Sequence, residues 1–258
     1  MVITPQRRDG RRDDQPRPLE LTLDYIKYPE GSVLARAGDT VVVCNVTVEG
    51  RVPPFLKDTG EGWLTSEYAM LPRATEERSP RESARGRISG RSAEIQRLIG
   101  RSLRAGIDLG LLGERTLLVD CDVLQADGGT RTTAITGAFV AVVVALLRLR
   151  QQSALRAWPV RDQVAAVSIG VLNSRVLLDL DYEEDSRVAV DLNLVGTATR
   201  GIVEVQATGE RATFARRTLD EMLDLGERGL ERAFAVQRQV LEHRLTDAGL
   251  ARITGSGS

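Results

Sequence analysis

Histidine is nearly missing from this sequence. His243 is the only one in 258 residues and lies in a polar C-terminal segment, which leaves imidazole triads and HExxH metal sites without their central residue. Cysteine is almost as scarce. Cys44 and Cys121 sit inside apolar β-type runs, are too few for a thiolate zinc site, and read as reduced, buried packing residues of a reducing compartment. Neither charge is in excess: the formal net charge is −1, so any attraction to a polyanion has to be local. The arginine-rich N-terminus lacks the apolar stretch of a signal peptide. The longest uncharged apolar run, Ala138 to Leu147, falls short of the ~20 residues that span a bilayer. No membrane partner is expected, and a cytoplasmic location is the default. A Walker lysine is absent too, because Gly128-Gly-Thr-Arg131 lacks the Gly-Lys-Ser/Thr ending.

What is present follows an α+β pattern. Residues 1–18 carry Arg7, Arg8, Arg11, Arg12 and Arg17 among polar residues and predict a mobile or surface-bound arm. Strands are predicted at Leu21 to Tyr25, Ser32 to Arg36 and Val41 to Glu49, with a turn at Gly38-Asp39. From Gly50 to Arg91 the pattern breaks into a long loop, with Trp63 and Tyr68 as core candidates. Ser92 is the expected N-cap of a helix to about Leu109, with Ile95, Leu98, Ile99, Ser102 and Leu103 inward. Thr116 to Val123 reads as a strand and Thr136 to Arg150 as a buried helix. The β pattern returns at Val164 to Leu172, Arg175 to Tyr182, Val188 to Val195 and Ile202 to Ala207, with turns at Leu172-Asn-Ser-Arg175 and Thr208-Gly-Glu210. Thr218-Leu-Asp-Glu221 resembles a capping box opening a last helix, with Leu219, Met222, Leu223, Leu230 and Phe234 inward. The expected architecture is two similar strand-then-helix halves in one body over residues 19–245. Residues 246–258, ending Gly255-Ser-Gly-Ser258, read as a flexible or appended tail.

Three stretches could carry chemistry. Gly128 and Gly129 permit a sharp turn, Thr130 offers a hydroxyl and Arg131 a planar fork of donors ahead of a helix. Together they describe either a simple turn or an anion site, most simply for phosphate. Arg91 falls at another helix start. Between Arg73 and Arg91 lie Arg78, Arg81, Arg85 and Arg87, interleaved with Glu76, Glu77 and Glu82 and with no lysine. That stretch is either an ion-paired solvated face or a surface tracking an RNA or DNA backbone, with few aromatics nearby for base stacking. The acidic stretch Asp179-Leu-Asp-Tyr-Glu-Glu-Asp185 leads to Asp191. It is either an exposed hairpin end or a site for a hard cation such as Mg²⁺. In extended chain Asp185 and Asp191 would stand ~20 Å apart, so cooperation requires a bend near Ser186.

These segments together resemble a known family. Glu30-Gly-Ser-Val33, Glu67-Tyr-Ala-Met-Leu-Pro-Arg-Ala-Thr75, Ser89-Gly-Arg91, Glu94 to Arg104, Asp120 to Arg131, Asp179 to Asp185 and Ala212-Thr-Phe214 are similar to the bacterial ribonuclease PH family over about residues 9–240. The resemblance implies the α+β fold shared with polynucleotide phosphorylase and exosome core subunits, assembled as a homohexameric ring of dimers. It implies a phosphate-dependent 3′→5′ exoribonuclease that trims tRNA precursors and other structured RNA, releases nucleoside diphosphates, and in reverse acts as a tRNA nucleotidyltransferase. By resemblance, phosphate binds at Arg91, Gly129, Thr130 and Arg131. The catalytic, Mg²⁺-holding pair is Asp185 and Asp191, and the RNA path is lined by Arg73, Arg78, Arg81, Arg85 and Arg87. Thr133-Ala134 stands where the family has Ala-Ser, Ala207 where it has glycine, and the N-terminus is slightly longer. The rival readings are a non-catalytic RNA-binding ring subunit and hydrolysis by water.

Overall fold

The computed structural model describes residues 7–248 and Ile253, apart from the side chains of Ser83 and Arg85. Two sheets sandwich one helix. The first is built from β1 (Leu19–Leu23), β2 (Gly31–Ala37), β3 (Thr40–Glu49), β4 (Trp63–Met70) and β5 (Thr116–Gln125), in the order β1-β2-β3-β5-β4. Within it only β4 and β5 pair in parallel, which requires a crossover; α1 (Gly90–Ala105) and the short α2 (Leu109–Leu112) supply it. The second sheet holds β6 (Val164–Leu172), β7 (Arg175–Leu178), β8 (Val190–Thr197) and β9 (Ile202–Gly209), all antiparallel in the order β7-β6-β8-β9. Between the sheets runs α3 (Thr130–Gln151), and α5 (Arg216–Asp247) packs on the second sheet beside it. The two-half α+β expectation therefore holds, with one parallel strand and the short α2 added to the first half.

The central helix is longer than its sequence pattern predicts. It begins at Thr130 rather than Thr136 because polar Thr130, Thr132, Thr133 and Thr136 are buried along with its valines and leucines. At 22 residues and mean hydropathy 2.0 it is long and apolar enough to cross a membrane, but 94% of its apolar window is buried inside the fold. Here the apolar run is a core element. Cys44 and Cys121 face each other across β3 and β5 as free, buried thiols with Sγ atoms 4.0 Å apart.

Several other expectations are corrected. The loop from Gly50 to Arg91 contains β4, whose inward residues are Leu64, Ser66 and Tyr68. Ser66 blurs the apolar alternation; it is inward because its Oγ donates to the Gln96 carbonyl at 2.7 Å where α1 packs closely. The N-cap of α1 is Ser89, whose Oγ accepts from the Ser92 N–H at 3.1 Å, so Ser92 is already helical. Likewise α5 starts at Arg216 after Ala215, without a side-chain cap, and Glu221 pairs with Arg217 instead of closing a box. The Arg175 strand stops at Leu178, and β8 starts at Val190, not Val188. Asn173 and Ser174 both have positive φ, the requirement of the tight hairpin joining β6 to β7. Ile253, inside the expected tail, is buried in the main core and its carbonyl accepts from Trp158 Nε1 at 2.5 Å. The rest of Gly255-Ser-Gly-Ser258 lies outside the described residues.

Of the two expectations for the arm, mobile or surface-bound, the bound one holds over the described residues, more deeply than expected. Residues 7–18 are fixed, and Arg7, Arg11 and Arg17 are each at most 7% exposed. Their guanidinium groups are sunk among carboxylates and carbonyls of the second sheet, which makes their burial tolerable.

Candidate functional site

The site forms where α3 begins. Gly128 and Gly129 both adopt left-handed backbone, with φ of +69° and +60°. A Cβ on Gly128 would stand 2.4 Å from the Leu180 carbonyl oxygen, so only glycine lets the loop lie against that strand end. No side chain caps the helix at Gly129, and the first N–H groups of a helix have no intrahelical acceptor. They are left for an anion, favoured further by the helix dipole.

Thr130 is buried, and its Oγ1 lies 2.8 Å from the Tyr68 hydroxyl. Burial pushes the Tyr68 pKa upward, so the phenol stays protonated, and either hydroxyl can be the donor in this pair. Arg131 is the next residue. Its Nη1 donates to Glu94 Oε1 at 3.3 Å and to Gln206 Oε1 at 3.1 Å, which spans it between α1 and β9. Arg91, the second residue of α1, reaches the same cavity.

The opposite wall is acidic. Asp181 opens a short helical turn, α4 (Tyr182–Asp185), through a capping box with Glu184. This turn is the bend that Asp185 and Asp191 require. Asp185 stands exposed at the rim, where surrounding protein raises its pKa against the pull of Arg91 and Arg131. Burial and then the charge of Asp185 raise Asp191 to about 6, against Arg131. Asn193 Nδ2 donates to Asp191 Oδ2 at 3.2 Å.

Arg91, Gly129, Thr130, Arg131, Asp185 and Asp191 thus line one cavity of about 370 Å³, with Ser168, Ser186, Val188, Asn193, Glu210 and Arg211. All six expected phosphate and acidic positions come together. The arginines of the preceding loop do not enter this cavity: Arg73, Arg78, Arg81 and Arg87 are exposed on the surface, and the side chain of Arg85 lies outside the described residues. No ion pair to Arg73, Arg78, Arg81 or Arg87 forms among the described residues.

Sequence reasoning missed Tyr68 as a site residue, along with Ser168, Glu210 and Arg211. Tyr68 reads only as a core aromatic, and Ser168 lies mid-strand with nothing local to mark it. Asn193 carried a signal, since it shares a strand face with Asp191.

A hard divalent cation suits the donor set. Two carboxylates are held close enough for one to raise the other's pKa, which is the repulsion that such a cation relieves. Among the described residues no group of three or more His, Cys, Asp and Glu could hold a metal, so most coordination would fall to water and substrate oxygens, as Mg²⁺ prefers.

The residues that differ from the family pattern do not line the cavity, though Thr133 adjoins it through an N–H donated to the Gly129 carbonyl at 3.0 Å. Thr133 and Ala134 are buried inside α3, and Ala207 is exposed on the edge strand β9.

Comparison with known proteins agrees with this geometry. The 3′ exoribonuclease family matches with its domain 1 over residues 15–147 and its domain 2 over residues 162–229. Ribonuclease PH of Bacillus subtilis is 52% identical over 242 residues, 93% of this chain and 99% of that protein. Ribonuclease PH of Moorella thermoacetica is 54% identical over 235 residues, 91% and 94% of the two chains. Among solved structures, the Archaeoglobus fulgidus exosome with RNA bound to the active site has a TM-score of 0.75 at 25% identity, covering 89% of this chain and 92% of its own. Rice Rrp46 shares the fold at a TM-score of 0.72 and 21% identity, covering 94% and 100%. With both domains matched in order and relatives half identical almost end to end, this chain belongs to the 3′ exoribonuclease family.

Proposed function

We propose that this protein is a phosphorolytic 3′→5′ exoribonuclease acting on the 3′ ends of tRNA precursors. One observation carries the reading: two helix starts with their arginines and a close carboxylate pair converge on a single polar cavity. An oxygen of inorganic phosphate attacks the last phosphodiester phosphorus. The bond to the preceding 3′-oxygen breaks, that oxygen takes up a proton, and a nucleoside diphosphate leaves. Run backwards, the same step adds a nucleotide.

Such a transfer needs positioning and charge stabilisation more than covalent work by the protein. Arg91 and the start of α3 at Gly129–Arg131 hold the attacking phosphate. Asp185 and Asp191 would hold Mg²⁺, which when bound offsets charge on the transferring phosphoryl group. One of the two aspartates supplies the proton to the departing oxygen. Exposed Arg73, Arg78, Arg81 and Arg87, with Arg85, guide the RNA backbone toward the cavity. A homohexamer built as a trimer of dimers, in the cytoplasm, completes this reading, and mass determination in solution tests the assembly.

The deciding experiment incubates the protein with 3′-extended tRNA and Mg²⁺, with and without phosphate. Nucleoside diphosphates that form only with phosphate support phosphorolysis. Monophosphates would mean hydrolysis, and no product a non-catalytic RNA-binding subunit. Arg91→Ala should lower the rate at limiting phosphate by roughly 10²–10³, the usual cost of a lost charge-stabilising donor. Unchanged phosphate saturation in that variant removes the phosphate assignment.

A further inference from the structure

The buried arginines of the N-terminal segment do not line the cavity, yet they grip both of its walls from behind. Arg17 holds Asp179 three times over: its backbone N–H and Nε donate to Oδ2 at 2.7 and 3.0 Å, and Nη2 donates to Oδ1 at 2.8 Å. The same guanidinium donates to the Asp127 carbonyl and, at 3.5 Å, to that of Gly128, which also accepts from Thr40 Oγ1 at 2.6 Å. Arg7 grips the other wall. It forms a two-pronged pair with Glu184, 2.7 and 2.6 Å, and donates to the carbonyls of Leu178 and Asp179, both at 2.8 Å. Glu184 directly precedes Asp185, and the two walls also touch where the Tyr182 N–H donates to Asp127 Oδ1 at 3.1 Å.

This placement has a stereochemical consequence. Across a trans peptide the C=O and N–H point in opposite directions. With the Asp127 and Gly128 carbonyls turned toward Arg17, the N–H groups of Gly128 and Gly129 turn away from it. Gly129 and Thr130 line the cavity. The direction of the N–H groups therefore depends on what the carbonyls are bound to.

We propose that Arg17 and Arg7 are positioning residues: by tying the 127–129 loop and the Asp185 turn to Asp179 and Glu184, they set the phosphate cradle and the carboxylate pair at their working separation. This rests on the phosphorolytic reading of the cavity. The segment before β1 is then part of the catalytic unit, supporting chemistry it never contacts. Small misplacements of this kind cost up to about 10²-fold in rate.

The test measures kcat and the KM for inorganic phosphate in Arg17→Ala and Arg17→Lys, at a temperature well below each variant's unfolding midpoint. Arg17→Lys keeps a cation beside Asp179 but cannot span the carboxylate and two carbonyls together. A positioning role predicts a KM for phosphate raised roughly 10- to 100-fold in Arg17→Ala. It further predicts that Arg17→Lys recovers thermal stability while its phosphate KM stays raised. A folded variant of either kind with wild-type phosphate KM overturns the proposal. So does failure of both to fold, which assigns the cluster to stability alone. Arg91→Ala separates the two levels. If it raises phosphate KM and Arg17→Lys, folded, does not, positioning fails while the cavity reading stands. If Arg91→Ala leaves phosphate KM unchanged, the cavity reading itself fails.

Discussion

Two short segments of this chain are dense in arginine, and the fold sends them to opposite environments. In residues 7–17 the guanidinium groups of Arg7, Arg11 and Arg17 are buried, each opposite Asp179, Glu184 or backbone carbonyls. In residues 73–87 the described arginines lie exposed, with no carboxylate partner. Composition does not distinguish the two, since both mix arginine with acidic residues. What differs is the surrounding structure. The first segment runs past β7 and α4, which present a carboxylate and carbonyls in need of donors; the second leaves the sheet edge after β4, anchors through buried Ala74, and turns its described arginines to solvent. A buried guanidinium is committed to its partners, whereas an exposed one remains free for a polyanion.

The largest contrast should appear in stability. Arg7→Ala takes from buried Glu184 its hydrogen-bonded cation and leaves only Arg11 at 3.7 Å, and breaking such a pair typically costs about 3–5 kcal/mol. Arg81→Ala, by the same denaturant titration, should stay within about 0.5 kcal/mol of wild type. Equal effects would erase the distinction. RNA binding should show the reverse. The triple variant Arg78→Ala, Arg81→Ala, Arg87→Ala should flatten the slope of log affinity against log salt by roughly 0.7 for each RNA phosphate that is no longer neutralised. It should leave the phosphate KM unchanged, and an unaltered slope would take this loop off the RNA path.

Acid titration gives a smaller and more local effect. Burial alone raises the Asp179 pKa, but Arg17 and then Arg11 outweigh it and hold the carboxyl below its ordinary value. A folded pKa below the unfolded one gives stability that is present above about pH 4 and lost as pH falls through the depressed value. In Arg17→Ala burial is opposed mainly by Arg11, so the folded pKa rises and this acid loss of stability shrinks. Unfolding midpoints from roughly two units below to one unit above the ordinary carboxyl pKa, about pH 2–5, measure it. The exposed-loop variants should follow the wild-type curve.

Much of the fold was legible from local pattern. The β6 strand matched its apolar run end to end, and the tight β6–β7 turn followed from Asn173 and Ser174. Where the reading failed, tertiary contacts outweighed local signals. β4 has an inward serine because α1 approaches it, and α3 starts six residues early because its threonines find buried partners such as Tyr68 and the Ala166 carbonyl. Ser168 and Tyr68 were invisible as site residues, since only folding brings their hydroxyls to Leu180 and Thr130.

By itself, the sequence determined the chemical parts: a Gly-Gly-Thr-Arg helix start, a second arginine at Arg91, and Asp185 and Asp191 six positions apart. Glycine's access to left-handed backbone and the carboxylates' like charge are properties of the residues alone. Tertiary structure decided their mutual placement. It folded α4 so that two distant aspartates meet, and it buried the N-terminal arginines, because a guanidinium goes inside only where the fold gathers enough oxygen atoms to receive it.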